Sequence, residues 1–406
     1  MTGLRVGAAR AEITPSRSLP LAGFAHRSGS SEGVARKLFA RTLLFETDPG
    51  HQTLLVSADL IWWGPELVER LRRNLLERFG LPGASVILHA THTHSGPQTT
   101  VRFSPLLGVA DPGYLDGVVE IVLGTVARAA ESMEAVTVER GSGLCSVGVN
   151  RRRLEGGRIV MAPNPNGQVD PEVSVVRFKS AAGQTRAMLV HYACHPTTTD
   201  DSLVSSEFPG ATSELLEGHF GEETVVLYLQ GCCGDVRPSL VRNGGFYRGD
   251  AEDVDRLGGM LAERVVTVLE GPMATIPGAC LAARSTRISL PLQEPPGKDG
   301  PEPESPGPTT DLEVAWMRLA DGLSILALNA EPVVEYGLWT KRRFDGRVLP
   351  IGYSNGMIGY LPTASQVDEG GYEARDSAAY FGLPAPFGRS LEVEVKREIE
   401  NVSKED

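Results

Sequence analysis

The chain has 406 residues, and its 41% hydrophobic and 22% charged content suits a globular protein with a large buried core, which excludes a wholly disordered or fibrous chain. With 39 lysines and arginines against 51 aspartates and glutamates the formal charge is −12, so the basic face needed for sequence-independent binding to nucleic acid or anionic lipid is lacking. Five cysteines, scattered and odd in number, make no disulfide framework.

The opening residues, MTGLRVGAARAEITP, hold no apolar core of a secretory signal. No run approaches the roughly 18 apolar residues that cross a bilayer, so the expected setting is cytoplasmic, without membrane insertion. Residues 40–46 (ARTLLFE) and 53–60 (TLLVSADL) read as strands. Pro65–Phe79 reads as a helix, with Leu67, Leu71 and Leu75 on one face and Gly80 and Pro82 as its stop. Strands follow at 85–92 (SVILHATH), 173–178 (VSVVRF), 186–192 (RAMLVHY), 224–229 (TVVLYL) and 323–328 (LSILAL), with helices at 116–132, 206–218 and 250–269 between them. Strands alternating with amphipathic helices predict an α/β fold, a largely parallel or mixed β-sheet core with flanking helices. Residues 291–310 are dense in proline, glycine and acid and can bury little. They read as a surface insertion in a single domain over 1–406. No internal repeat is visible.

Five of the eight histidines fall in two short windows, 88–95 and 191–197, each at the downstream end of an apolar strand. That is where ligands bind in open α/β sheets. In residues 90–97 (ATHTHSGP), His92 and His94 are two apart, and extended backbone would put both on one face. Such a pair suits one metal, a metal and its substrate, or two hydrogen-bonded core histidines. Residues 192–198 (YACHPTT) offer His195, which read alone suits a structural role as well as a ligand. In residues 230–239 (QGCCGDVRPS), Cys232 and Cys233 point apart and read as small buried groups, while Asp235 suits a tight turn that orients its neighbours. Glu331, in residues 329–336 (NAEPVVEY), is either a helix-start charge or a ligand. Two histidines, a glutamate and an open position make the catalytic-zinc pattern. Trp62 and Trp63 read as packing or pocket wall, and Asp59 as an orienting group or a strand end.

An ordered set of motifs then resembles the neutral/alkaline non-lysosomal ceramidase family. They are residues 11–15 (AEITP), 21–25 (LAGFA), 57–60 (SADL), 91–97 (THTHSGP), Asn150 with Arg151, 195–197 (HPT), 234–236 (GDV), 330–332 (AEP) and the pair Tyr360 and Tyr372. The resemblance implies a fold like that family's catalytic domain and one zinc ion per chain, bound by His92, His195, Glu331 and Tyr360. It places His94 on the reacting carbonyl and Arg151 and Tyr372 on the substrate. The family's serine two residues after the GD of GDVSP is Arg237 here, and no counterpart of its C-terminal immunoglobulin-like domain is expected. Arginine is no nucleophile but binds carboxylate or phosphate through two hydrogen bonds, so Arg237, with Asp235 beside it, is expected on the substrate side. Cys232 and Cys233 offer a substitute nucleophile beside the lost serine.

The expectation is a zinc-dependent hydrolase that cleaves a linear amide of a small, anionic acyl substrate other than ceramide, using metal-activated water. Two alternatives stay open: an esterase, lactonase or amide-forming enzyme on the same site, and a non-catalytic metal-binding protein. The ligand set would also accept other divalent ions. The expected partner is a small molecule, with homo-oligomerisation left open.

Overall fold

The computed structural model describes residues 3–47, 50–293 and 307–404. Its first unit holds β1 (Arg5–Glu12), β2 (Phe39–Glu46), β3 (Gln52–Ala58), α1 (Pro65–Phe79), β4 (Val86–Ala90) and α2 (Pro112–Glu131). β1, β2 and β3 pair antiparallel in that order, and β4 runs parallel to β3. A parallel neighbour needs a crossover, and α1 provides it. Pro65 opens α1, Leu67, Val68, Leu71 and Leu75 form its buried stripe, and Gly80 closes it in the left-handed region at φ 69°.

The same order recurs twice. The second unit holds β5 (Glu134–Leu144), a hairpin of β6 (Gly148–Glu155) and β7 (Arg158–Asn164), then β8 (Glu172–Ser180), β9 (Thr185–Tyr192), α3 (Glu207–Phe220), β10 (Val225–Gln230), β11 (Val236–Pro238) and α4 (Ala251–Glu270). β5, β8 and β9 are antiparallel, and β10 is parallel to β9 across α3. The third unit holds β12 (Ala279–Pro291), β13 (Thr309–Ala320), β14 (Leu323–Leu328), β15 (Glu331–Pro332), α5 (Val334–Arg343), β16 (Val348–Ile351), β17 (Tyr360–Leu361), α6 (Ala364–Glu369) and α7 (Leu391–Ser403). β12, β13 and β14 are antiparallel, and β16 is parallel to β14 across α5. Three units thus share one topology, although the sequence shows no repeat.

β1 and β5 join through Val6 opposite Glu134 and Arg5 opposite Ala135, so the first two units share one large sheet. The third unit forms its own four-stranded sheet. Period-two alternation sorts the core into layers. Leu43, Phe45, Phe178, Leu189 and Leu227 face Met317, Leu319, Ile325 and Leu349 between the sheets. On the other side of the large sheet, Leu44, Leu54, Val56 and Leu88 pack under α1 and α2, and Met188, Val190 and Val226 under α3 and α4. Leu312, Val314 and Trp316 meet Val395, Ile399 and Val402 of α7 on the outer face of the small sheet. The α/β core is mixed, as expected, with antiparallel pairs predominating and one parallel pair across the crossover helix of each unit.

Of the insertion expected over 291–310, residues 294–306 lie outside the described residues. Its two ends, Pro291 and Thr309, are register partners across β12 and β13, so the segment connects neighbouring strands. Among the described residues, no helix is long and apolar enough to cross a membrane.

Candidate metal site

The loops that follow the third and fourth strands of all three units meet at one place. Backbone bonds tie them there: Thr91 N–H to Ala58 O, Tyr353 N–H to Ala330 O, Ala90 N–H to Tyr353 O and Gly352 N–H to Gln230 O, at 2.9, 2.9, 3.0 and 3.3 Å. His195 and Glu331 hold the same station in their units, three residues past the third strand, and Ile61 holds it in the first unit.

His92 corrects one expectation. It does not lie in extended chain; its φ is +68°, in the left-handed region that side chains other than glycine enter at a cost of about 1–2 kcal/mol. Three interactions hold it there. Its N–H donates to Leu60 O at 2.9 Å, its Nδ1–H donates to Ile61 O at 2.7 Å, and its ring stacks on Tyr353 at 4.0 Å. This turn, rather than a strand face, brings His94 Nε2 to 3.1 Å from His92 Nε2. Across the site, His195 Nδ1 lies 2.6 Å from Cys233 O and 3.1 Å from Val236 O. A carbonyl can only accept, so both Nδ1 atoms carry a hydrogen, and in the neutral ring each Nε2 keeps a lone pair.

Those lone pairs converge. Glu331 Oε1 lies 2.6 Å from His195 Nε2 and 3.4 Å from His92 Nε2. Yet among the described residues neither His195 Nε2 nor Glu331 Oε1 meets a partner along a hydrogen-bond direction, and His94 Nδ1 also has none. Ligand atoms of His92, His94 and His195 lie within 4.8 Å of one another. Buried acceptors facing each other are costly unless a cation lies between them. The donor set therefore fits a divalent metal.

The electrostatics agree. Burial opposes charge on Glu331, but His92 and His195 outweigh it and hold the carboxyl well below its ordinary range. Burial, with the charge of Arg151 behind it, pushes His195 down to about 4. Burial and the neighbours His92 and His195 push His94 well below its usual value. A neutral His195 ring beside an anionic Glu331 carboxylate is the pairing that metal ligation requires.

Tyr360 stands opposite Glu331 in the short parallel pairing of β15 and β17, and its hydroxyl accepts from Arg151 Nη2 at 3.0 Å. Arg151 lies against the rings of Tyr360 and Tyr372, at 5.6 and 5.7 Å. Glu373 fixes Arg151 Nε at 2.8 Å and Arg152 Nη1 at 2.7 Å. The six side chains His92, His94, His195, Glu331, Arg151 and Tyr360 are thus brought to one buried place, with Tyr372 beside them.

Residues 4–248 match the family model described as neutral/alkaline non-lysosomal ceramidase, N-terminal. The chain belongs to this family. Neutral ceramidase of Pseudomonas aeruginosa is 24% identical over 251 residues, 58% of this chain and 37% of that protein. Neutral ceramidase A of Dictyostelium discoideum is 23% identical over 261 residues, 58% of this chain and 36% of that protein. The chain thus covers little more than a third of these relatives' length. The crystal structure of the P. aeruginosa neutral ceramidase matches 98% of this chain and 74% of its own at a TM-score of 0.80 and 17% identity, so the two share a fold.

Within this ceramidase-family site, other expected residues take different places. Asp235, expected on the substrate side, is engaged by its own chain. Its Oδ1 accepts from Val334 N at 2.8 Å, and its Oδ2 from Gln366 Nε2 at 3.0 Å and Asn150 Nδ2 at 3.4 Å. It pins the start of α5 to the strand that carries Arg151. Arg237 is buried, stacked on Phe246 at 4.4 Å, and donates to Thr197 O at 3.3 Å. Burial pushes the thiols of Cys232 and Cys233 up, which keeps them protonated and argues against a substitute nucleophile. Trp62 forms a wall beside His92, in edge contact with Phe103 and Phe381. Asp59 links Arg41 and Thr91, each at 3.2 Å, just before His92.

Two features had no sequence signal strong enough to single them out. Glu373 positions both arginines from a distant turn. The loop of Gly23 to Arg27 lays Phe24 on His94 at 5.0 Å, and a Cβ at Gly23 (φ +98°) would come within 2.4 Å of His94 Nδ1. Residues 21–25 (LAGFA) carry this loop, so the motif was visible while its partner was not.

Proposed function

We propose that this chain is a zinc-dependent hydrolase of linear amide bonds. Ceramidase-family membership supports the amide reaction class, and the geometry of the donors supports the metal: the Nε2 atoms of His92 and His195, anchored from behind through Nδ1, converge on the Glu331 carboxylate. In this reading His92, His195, Glu331 and Tyr360 hold the ion. When bound, zinc supplies Lewis-acid polarisation of a carbonyl and makes water acidic enough to attack near neutral pH.

The remaining roles belong to the chain's own groups. His94 is kept neutral by burial and by His92 and His195, so its ring can take up and return a proton beside the scissile carbonyl. Arg151, held by Glu373 and the Tyr360 hydroxyl, presents a fixed cation toward the substrate, with Tyr372 along the same wall. Asp235 acts as a positioning residue for Arg151 and α5. Trp62, Phe103 and Phe381 form an apolar wall that excludes water.

The test is turnover of a panel of acyl amides, esters and lactones by protein loaded with one equivalent of zinc, then chelated and reloaded. Amide cleavage that is lost on chelation and restored by zinc is the expected result. Turnover of esters or lactones alone, or amide turnover indifferent to chelation, would overturn the reading.

A further inference from the structure

Beside His94 and just past His195 stand two guanidinium groups that form no ion pair among the described residues. Arg237 is 6% exposed, and among the described residues it forms no ion pair; its Nη2 donates to Thr197 O, and its Nε has no partner. Arg27 donates through Nη1 to His94 O at 2.6 Å and to Ala22 O at 3.3 Å, while its Nε and Nη2 are buried without a partner. It too forms no ion pair among the described residues. Asp200, Asp201 and Glu207 lie near Arg27 without an ion pair to it. Asp200 takes Arg248 Nε at 3.1 Å and His26 Nε2 at 2.9 Å, Asp201 accepts from Leu203 N, and Glu207 accepts from Thr199 N at 3.0 Å.

The placement of these two arginines is specific. Arg27 stacks on Phe24 at 4.8 Å, and Phe24 lies on His94. Arg237 is anchored to Thr197, two residues beyond His195, whose buried Oγ1 has no partner. The rings of His94 and His195 are 5.8 Å apart, so Arg27 is tied to one member of an imidazole pair and Arg237 to the segment just past the other. β11 holds Arg237 rigidly, since Val236 and Arg237 pair with Asn150 and Val149. A buried cation without a counter-ion costs stability, and a protein keeps one where a ligand answers it. Burial, together with Arg248 and Arg151, pushes Arg237 down to about 9, which shows the same shortage of negative charge.

We propose that Arg237, with Arg27 beside His94, binds a carboxylate carried by the substrate next to its scissile amide, so that the preferred substrates are N-acyl amino acids rather than neutral acyl amides. This rests on the amide-hydrolase reading above. The planar fork of Arg237 suits a carboxylate, and the free Thr197 hydroxyl supplies a further donor.

The experiment uses matched pairs, N-acyl amino acids and their neutral carboxamides, on the zinc-loaded protein. The carboxylate member should show a kcat/KM about 10- to 100-fold higher, the range for one charge-assisted hydrogen-bonded pair. Arg237→Met should bring the ratio of the two toward one, and Arg237→Lys should restore part of it. Calorimetric titration with a free amino acid product gives a second readout, and R237M should weaken this binding by a similar factor. R237M should also melt no lower than the parent, because it removes an uncompensated buried charge. Equal turnover of both members, unchanged in R237M, would overturn the pocket while leaving the amide reading intact. A large fall in melting temperature would make Arg237 a structural cation and overturn it as well. No amide turnover at all, with amino acid binding still lost in R237M, would overturn the amide reading and leave the pocket standing.

Discussion

His89 and the cluster of His92, His94 and His195 are all buried at the ends of strands, yet their nitrogens are spent differently. His89 is fully satisfied. Its Nδ1 lies 3.1 Å from Gly352 O and 3.0 Å from Ser354 Oγ, and its Nε2 accepts from Gln230 N–H at 2.8 Å. One ring therefore ties together the ends of the fourth strands of all three units. His92 and His195 spend Nδ1 on carbonyls and leave Nε2 facing Glu331. Burial and residue type are the same in both places. What separates a structural histidine from a metal ligand is the lone pair left over.

The largest expected effect breaks the cluster. His195→Ala should lower zinc-supported amide turnover at least about a thousandfold, because several kcal/mol of transition-state stabilisation come with the metal. Its folding, read by circular dichroism, should survive. Next is the structural side of the comparison. His89→Ala removes the acceptor of the buried Gln230 N–H and opens a cavity at the junction, and should cost about 2–4 kcal/mol in urea unfolding while leaving the metal content unchanged. If that variant lost its metal, the distinction between the two groups would collapse.

A smaller effect sharpens the role of Arg151. Glu373→Gln keeps the shape but removes the charge that fixes Arg151 and Arg152. It should lower kcat/KM about 10- to 100-fold with zinc retained, since outer partners of a site typically carry that much. The smallest is a slope. Burial holds His89 at about 3, and burial with the charge of Lys341 holds His191 at about 4. The unfolded chain takes up these protons below about pH 6.5 and the folded chain does not, so the metal-free protein should lose stability as pH falls from 6.5 toward 4. Each histidine contributes up to about 1.4 kcal/mol per pH unit in that window. Urea midpoints at pH 7, 6 and 5 check this, and a flat profile would contradict it.

Much of the frame was legible because its signals are local. The Pro65–Phe79 helix carries its own stripe, opening proline and closing glycine, and the helix and strand cores around β2, β3, β9, β10 and β14 are runs of apolar residues. His92, His195 and Glu331 were visible as polar residues at the ends of such runs. Two inner strands were not. β1 (RVGAARAE) and β13 (TTDLEVAWMRLA) alternate with charges, because only one face or part of each is covered. The threefold recurrence of topology leaves no trace in residue identity, since the register needs only alternation and each unit meets different neighbours. The left-handed turn at His92 was also hidden. It is enforced by Leu60, Ile61 and Tyr353, and Tyr353 comes from the far end of the chain. Arg27 and Glu373 reach the site by the same long-range folding, which spacing along the sequence does not encode.

The central claim is that the converging lone pairs of His92, His195 and Glu331 hold a metal. Its most direct test is the metal content of the purified protein by plasma mass spectrometry, for the parent and His92→Ala, before and after incubation with zinc. About one zinc per chain in the parent, and none retained by a folded His92→Ala, is the predicted result. A folded parent that stays metal-free after zinc is supplied would contradict the account.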